Sequence, residues 1–242
     1  MNIQKTPSGT KGLDKILEGG LPIGRVVLIK GSPGTGKSTL GAQFLLEGAK
    51  LGEKCLLVIA EENPENYLID FEHLKFRDYI KTEQISIFDS ASARVGYVLP
   101  RNHLSIHDAA ILSIKKSEFD EALIELIEYI KREKIQRLVI DSIQSFLHLL
   151  TTKDEVKIKD IYYKIVELCR QNKTTTLFIS EIGGMLSEYV VDGIIELGWH
   201  VDSEKRNRFI YVEKMRGCKH DTDIHRVEIT EKGLRIIEEI ST

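Results

Sequence analysis

Three cysteines, Cys55, Cys169 and Cys218, stand singly along 242 residues. An odd, scattered set with no CxxC pair supplies neither a disulfide framework nor a thiolate metal centre, and fits reduced thiols in a cytoplasmic protein. No run of about 18 apolar residues occurs, so nothing is expected to span a membrane. Met1-Asn2-Ile3-Gln4-Lys5-Thr6-Pro7 lacks an apolar signal core. Charge of one sign is also missing: 34 Lys and Arg stand against 37 Asp and Glu, a formal net charge of −3. That argues against a bulk electrostatic grip on nucleic acid, though not against a local basic groove. What is present, 42% hydrophobic and 29% charged residues, suits a globular chain with a sizeable core.

Hydrophobic periodicity predicts strands over 25–30, 54–60, 85–88, 137–140 and 175–179. Between them lie predicted helices over 38–51, 118–134 and 154–171, with a short one over 11–18. Asn63-Pro64 reads as an N-cap with proline at the first helical position, opening a helix to about Leu74. Alternating strands and helices give an α/β fold with a mostly parallel sheet flanked by helices. After Asp192 the pattern changes to consecutive strands over 193–199, 208–215, 226–230 and 234–238, expected as antiparallel additions to the sheet edge. The stretch 91–116 is the least readable and is expected to be a surface excursion.

One segment carries specific chemistry. Gly31-Ser32-Pro33-Gly34-Thr35-Gly36-Lys37-Ser38 matches GxxxxGK[ST] completely, with a strand before it and a helix after it. Glycines let backbone N–H groups turn inward around phosphate oxygens, and the helix N-terminus adds positive potential. Ser32, Pro33, Gly34, Thr35, Gly36, Lys37, Ser38 and Thr39 are thus the expected phosphate-binding residues, for ATP. Lys37 would reach the β- and γ-phosphates, and Ser38 would place its hydroxyl on Mg²⁺.

Asp141 closes the fourth strand, where ligands gather in open α/β sheets, and is the second expected Mg²⁺ ligand beside Ser38. A helix N-cap uses the same residue type. Glu61-Glu62 closes the second strand. Alternation points the two carboxylates to opposite sides, so only one should face the phosphate and activate water. A solvated strand end is the other reading.

The combination of motifs resembles a known family. Gly-Leu-Asp and Gly-Gly-Leu-Pro-x-Gly precede the loop, Glu-Glu-x-Pro follows the second strand, and Ile140-Asp141-Ser142 closes the fourth. Lys214-Met215-Arg216-Gly217-Cys218-Lys219-His220 ends the set. Together these are similar to a KaiC domain of the RecA/RadA-type ATPases, as one domain over 1–242 with a RecA-type P-loop fold. The resemblance implies that Glu61 and Glu62 activate water. It also implies that Lys214 and Arg216 act on a neighbouring subunit's γ-phosphate with His220 near its adenosine, in a homo-oligomer expected to be a hexamer. Tandem domains are lacking, so no clock function is carried over.

Other features weigh less. Ser203-Glu204-Lys205-Arg206-Asn207-Arg208 reads as a solvated hairpin tip, with single-stranded nucleic acid as a less favoured partner. Trp199 and His200 read as packing and surface residues. Two functional classes follow: a ring-forming, ATP-hydrolysing regulator or motor, and an ATP-dependent interaction switch with little turnover. A kinase is a weaker third, since no arginine-rich lid is evident. GTPases and transporter ATPases are disfavoured by the lack of Asn-Lys-x-Asp and Leu-Ser-Gly-Gly-Gln.

Overall fold

The computed structural model describes residues 3–90, 111–113, 119–150, 155–181, 188–202 and 205–237. Its strands are β1 (Lys5–Thr6), β2 (Leu21–Pro22), β3 (Val26–Gly31), β4 (Cys55–Ile59), β5 (Ile85–Asp89) and β6 (Ile111–Ser113). They continue with β7 (Arg137–Asp141), β8 (Thr175–Ser180), β9 (Gly193–Asp202), β10 (Lys205–Met215), β11 (His225–Thr230) and β12 (Gly233–Ile236). The α-helices are α1 (Leu13–Ile16), α2 (Lys37–Lys50), α3 (Pro64–Asp70), α4 (Phe76–Lys81), α5 (Phe119–Glu133), α6 (Ile143–Leu150) and α7 (Glu155–Gln171).

A ten-stranded sheet runs in the order β12-β11-β10-β9-β3-β8-β7-β4-β5-β6, while β1 and β2 pair separately. From β9 to β6 the strands are all parallel. Beyond β9, strands β10, β11 and β12 pair antiparallel.

Strand alternation sorts the core into two layers. Val27, Ile29, Leu57, Ile59, Val139, Leu177 and Ile179 face α1 to α4 on one side. Val26, Leu28, Leu56, Val58, Leu138, Ile140 and Phe178 face α5 to α7 on the other. Covering both faces is what makes the central strands read as unbroken apolar runs. The crossover from β3 through α2 passes over β8 and β7 before β4, so the loop after β3 opens at the carboxyl edge of the parallel strands.

Several expectations need correction. Strand β9 is parallel to β3, so the antiparallel additions begin only at β10. The helix predicted from Pro64 to Leu74 stops at Asp70. A 3₁₀ turn, Glu72–Leu74, and a separate α4 follow, with Lys75 at φ 60° between them. Helix α6 was not anticipated, because its apolar run is short. The predicted helix over 11–18 shrinks to Leu13–Ile16, followed by Glu18 at φ 50° before Gly19 and Gly20. Within 91–116 only β6 is described; the rest of that expected excursion lies outside the described residues. Lys205 to Arg208 form the first residues of β10, which pairs antiparallel with β9 from Lys205 opposite Asp202, so the strand starts earlier than expected; Ser203 and Glu204 lie outside the described residues.

Arg137 is a charged residue inside this core, with only 1% of its surface exposed. Its NH1 donates to the carbonyls of Pro7 and Phe44, each at 2.8 Å, and NH2 donates to Thr6 Oγ1 at 2.6 Å. Its Nε pairs with Glu53, and the guanidinium lies 4.6 Å from the Phe44 ring centre. The N-terminal segment, α2 and β7 thus share one cation, and removing it would orphan several buried groups. Arg137→Ala is therefore expected to lower the unfolding free energy by about 3–5 kcal/mol. Chemical denaturation checks this; a loss below about 1 kcal/mol, the range of exposed ion pairs, would contradict it.

Candidate nucleotide and metal site

The site begins where β3 ends. A Cβ on Gly31 would lie 2.2 Å from the Leu197 carbonyl oxygen of neighbouring β9, so only glycine fits. Gly34 and Gly36 take φ of 75° and 106°, the left-handed turns that wrap the loop. Helix α2 then starts at Lys37 with no side chain capping its first amides, which leaves the helix N-terminus facing the loop. Ser38 and Thr39 occupy the first turn of α2. Pro33 and Gly34 are exposed at the loop's crest and Thr35 is buried. The Thr35 hydroxyl donates to the Ser32 carbonyl at 2.8 Å, and Lys37 Nζ donates to the same oxygen at 3.0 Å. Burial depresses the Lys37 ammonium, against the pull of Asp141, Glu181 and Glu61.

The neighbouring strand ends supply the carboxylates. Asp141 closes β7, and the Ser38 hydroxyl hydrogen-bonds to it. Its Oδ2 is sealed from solvent and has no hydrogen-bond partner among the described residues. Burial pushes the Asp141 carboxyl up to about 6; Ser38 and Lys37 oppose the shift and Glu61 adds to it. Glu61 Oε1 accepts from the hydroxyls of Ser142 and Ser145, the latter at 2.8 Å. Glu62 is pushed up to about 7 by burial, and then by Asp70, Asp141 and Glu61. Both glutamates therefore feel Asp141, whereas strand alternation had separated them. Only Glu61 is among the carboxylates acting on Lys37.

Three further groups escaped the sequence reading. Glu181 follows β8 and acts on Lys37. Gln144 of α6 bonds through its amide nitrogen to the Ser180 hydroxyl, and its Oε1 is buried without a partner among the described residues. Tyr67 of α3 is fully buried, and its hydroxyl has no partner among the described residues. No motif signals these positions; only the strand order, which sets β8, β7 and β4 beside β3, gathers them around the carboxyl ends of the strands next to the loop.

The structure places Lys214, Arg216 and His220 elsewhere. Met215 of β10 pairs with Gly193, which pairs with Val27 near the start of β3. Gly31 lies four residues further along β3, about 13 Å at strand rise. Lys214 and Arg216 therefore sit at the opposite edge of the sheet from their own phosphate loop. Lys214 Nζ donates to the carbonyls of Glu188 and Val191, at 2.9 and 2.8 Å. Arg216 donates to the Tyr189 carbonyl at 3.0 Å. His220 Nδ1 lies 3.3 Å from the Cys218 carbonyl oxygen.

A hard-oxygen pair, a hydroxyl and a carboxylate with one unpaired buried oxygen, fits a magnesium ion. A glycine-wrapped loop, a lysine and a helix N-terminus fit the phosphates beside it. Fold and loop together define a RecA-type, nucleotide-binding P-loop protein. The comparisons with known proteins give the family. A sequence model of the KaiC ATPase family matches residues 6–241, and the chain belongs to that family. It is 30% identical to a UPF0273 protein of Thermotoga maritima over 97% of this chain and 96% of the relative. It is 32% identical to UPF0273 protein SSO1861 of Saccharolobus solfataricus over 92% of this chain and 79% of the relative. Among solved structures, the KaiC-like protein PH0186 of Pyrococcus horikoshii superposes with a TM-score of 0.79 at 26% identity, covering 98% of this chain and all of that one. Among the described residues no helix is long and apolar enough to cross a membrane.

The raised Asp141 and Glu62 carboxyls have a measurable consequence. Each binds its proton more tightly folded than unfolded, so the stability each contributes is present at low pH and lost as pH rises through its folded value. Without nucleotide, stability should fall between about pH 4 and 7 more steeply than in Asp141→Asn. Denaturation midpoints across that range test this; parallel curves for the two proteins would contradict it.

Proposed function

We propose that this chain is a Mg²⁺-dependent ATPase that works as a ring of identical subunits, most simply a hexamer, in a cytoplasmic regulatory role. The observation that carries the reading is the pairing of Asp141, with its unpartnered buried oxygen, and the Ser38 hydroxyl beside the glycine-wrapped loop. The chain 1–242 is taken as one domain and one subunit.

In this reading residues 32–39 cradle the triphosphate, with Lys37 leaving the Ser32 carbonyl for the β- and γ-phosphate oxygens. Ser38 and Asp141 would hold the magnesium ion. When bound, the ion would neutralise charge developing on the transferred phosphoryl group. Its arrival would also answer the orphaned Asp141 oxygen. Glu61 is the better-placed base: the Ser142 and Ser145 hydroxyls orient it, and it faces the Lys37 charge. Glu62, its carboxyl pushed up to about 7 mainly by burial, is the less suited of the two.

Lys214 and Arg216 cannot serve their own loop across the sheet, which supports a role on a neighbour's γ-phosphate, with His220 near the neighbour's adenosine. Their present bonds to 188–191 favour one further feature. The isolated subunit would bind ATP yet turn over slowly, as an assembly-gated switch does.

Lys37→Ala should weaken ATP binding by about 10–100-fold, the worth of one charge-assisted hydrogen bond. Glu61→Gln should keep binding and lose about 10²–10⁴-fold in kcat, and Glu62→Gln should lose less. Unchanged turnover in both glutamate variants would remove the base assignment. Specific activity should rise with protein concentration as mass, followed by light scattering, grows. Constant activity from a monomer would sink the ring, and phosphate on an added acceptor would instead mark a kinase.

A further inference from the structure

A loop that turns its amides toward a phosphate must turn carbonyls away from it, and those carbonyls need donors. Within the loop, Thr35 and Lys37 serve the Ser32 carbonyl. The next two carbonyls are served from outside. Trp199 Nε1 donates to Pro33 O at 3.4 Å, and Arg208 Nε donates to Gly34 O at 3.0 Å.

Register explains why these two residues reach the crest. Gly31 pairs with Leu197 on β9, and Trp199 lies two residues on, along the same face. Arg208 is the cross-strand partner of Trp199 on β10, and Arg206 pairs with Val201 on that face. The guanidinium carbons of Arg206 and Arg208 lie 4.0 and 4.3 Å from the indole. Stacked planar cations restrict the ring's orientation and with it the Nε1–H direction. Trp199 Cζ2 also comes within 3.8 Å of where a Gly34 side chain would start, so the ring lies against the crest itself.

We propose that Trp199 and Arg208 are positioning residues for the phosphate loop, holding the Pro33 and Gly34 carbonyls outward so that the loop's amides face a nucleotide's phosphates. The β9–β10 ribbon then acts as an outer clasp that pre-organises the cradle. This rests on the nucleotide-binding reading for its effect on ATP, though not for the state of the loop itself.

Arg208→Ala removes the clasp's shorter bond, and Arg208→Gln restores a neutral donor without the charge. For the alanine variant KM and the Kd for Mg-ATP are expected to rise about ten-fold, the worth of about one hydrogen bond, with kcat moving far less. The glutamine variant should recover most of this. Trp199 is the chain's one tryptophan, so its emission should shift on adding Mg-ATP to the native protein. In nucleotide-free protein, hydrogen exchange in a peptide covering 31–39 should quicken in Arg208→Ala and in Trp199→Phe, whichever folds better.

Unchanged exchange and unchanged Kd in Arg208→Ala would overturn the proposal. So would a glutamine variant no better than alanine, which would assign the effect to charge. Faster exchange in the variants of a protein that binds no ATP would refute the ATPase reading and leave the clasp standing.

Discussion

A buried oxygen of Asp141 has no partner among the described residues, and the rest of the site is arranged around that deficit. Uncompensated, a buried carboxylate keeps its proton, which is why its titration is lifted to about 6. Lys37 shows the matching deficit in the opposite sign, desolvated and resting on a backbone carbonyl of its own loop. A phosphate and a divalent cation together would answer both, each supplying the charge the other group lacks. The carboxyl edge of a parallel sheet is the place where such partners converge, because the ends of four neighbouring strands, β3, β8, β7 and β4, meet there.

The phosphate loop was legible from sequence because backbone geometry leaves little choice at Gly31, Gly34 and Gly36. Asp141 and the Glu61-Glu62 pair were legible because apolar runs mark where buried strands stop. Their mutual arrangement was not legible. Period-two alternation separates Glu61 from Glu62, yet the chain leaves strand geometry at Ile59, so alternation no longer governs them. Glu181, Gln144 and Tyr67 were invisible for a different reason: strand order, a long-range property, is what gathers them around the strand ends next to the loop. The same holds for Trp199 and Arg208. Trp199 reads as a packing or surface residue and Arg208 as part of a solvated turn, and only the β3–β9 pairing sets them over Pro33 and Gly34. The parallel direction of β9 went unread as well, because a strand's own pattern does not reveal its neighbour's direction.

In the proposed function one nucleotide would have two kinds of support. The β9–β10 ribbon of the same chain bonds the loop's crest and would shape it. The basic Lys214 and Arg216 lie at the far edge of the sheet, fastened to the backbone of 188–191, where they are ordered yet useless to their own loop. Pre-ordering of long cationic side chains lowers the entropy cost of presenting them to a partner. If those cations serve a neighbour, as proposed above, a subunit has a donor edge and an acceptor edge, the geometry of head-to-tail rings.

The account is tested most directly by mixing two inactive proteins. Lys37→Ala subunits lack the lysine that holds the β- and γ-phosphates, bind ATP more weakly and keep Lys214 and Arg216; a Lys214→Ala/Arg216→Ala double variant keeps its loop and lacks the cations. Mixed under conditions that allow subunit exchange, they should regain Mg²⁺-dependent ATP hydrolysis that neither shows alone. Two stably folded variants that exchange subunits and stay inactive, or a double variant that hydrolyses ATP at the native rate, would contradict the shared site.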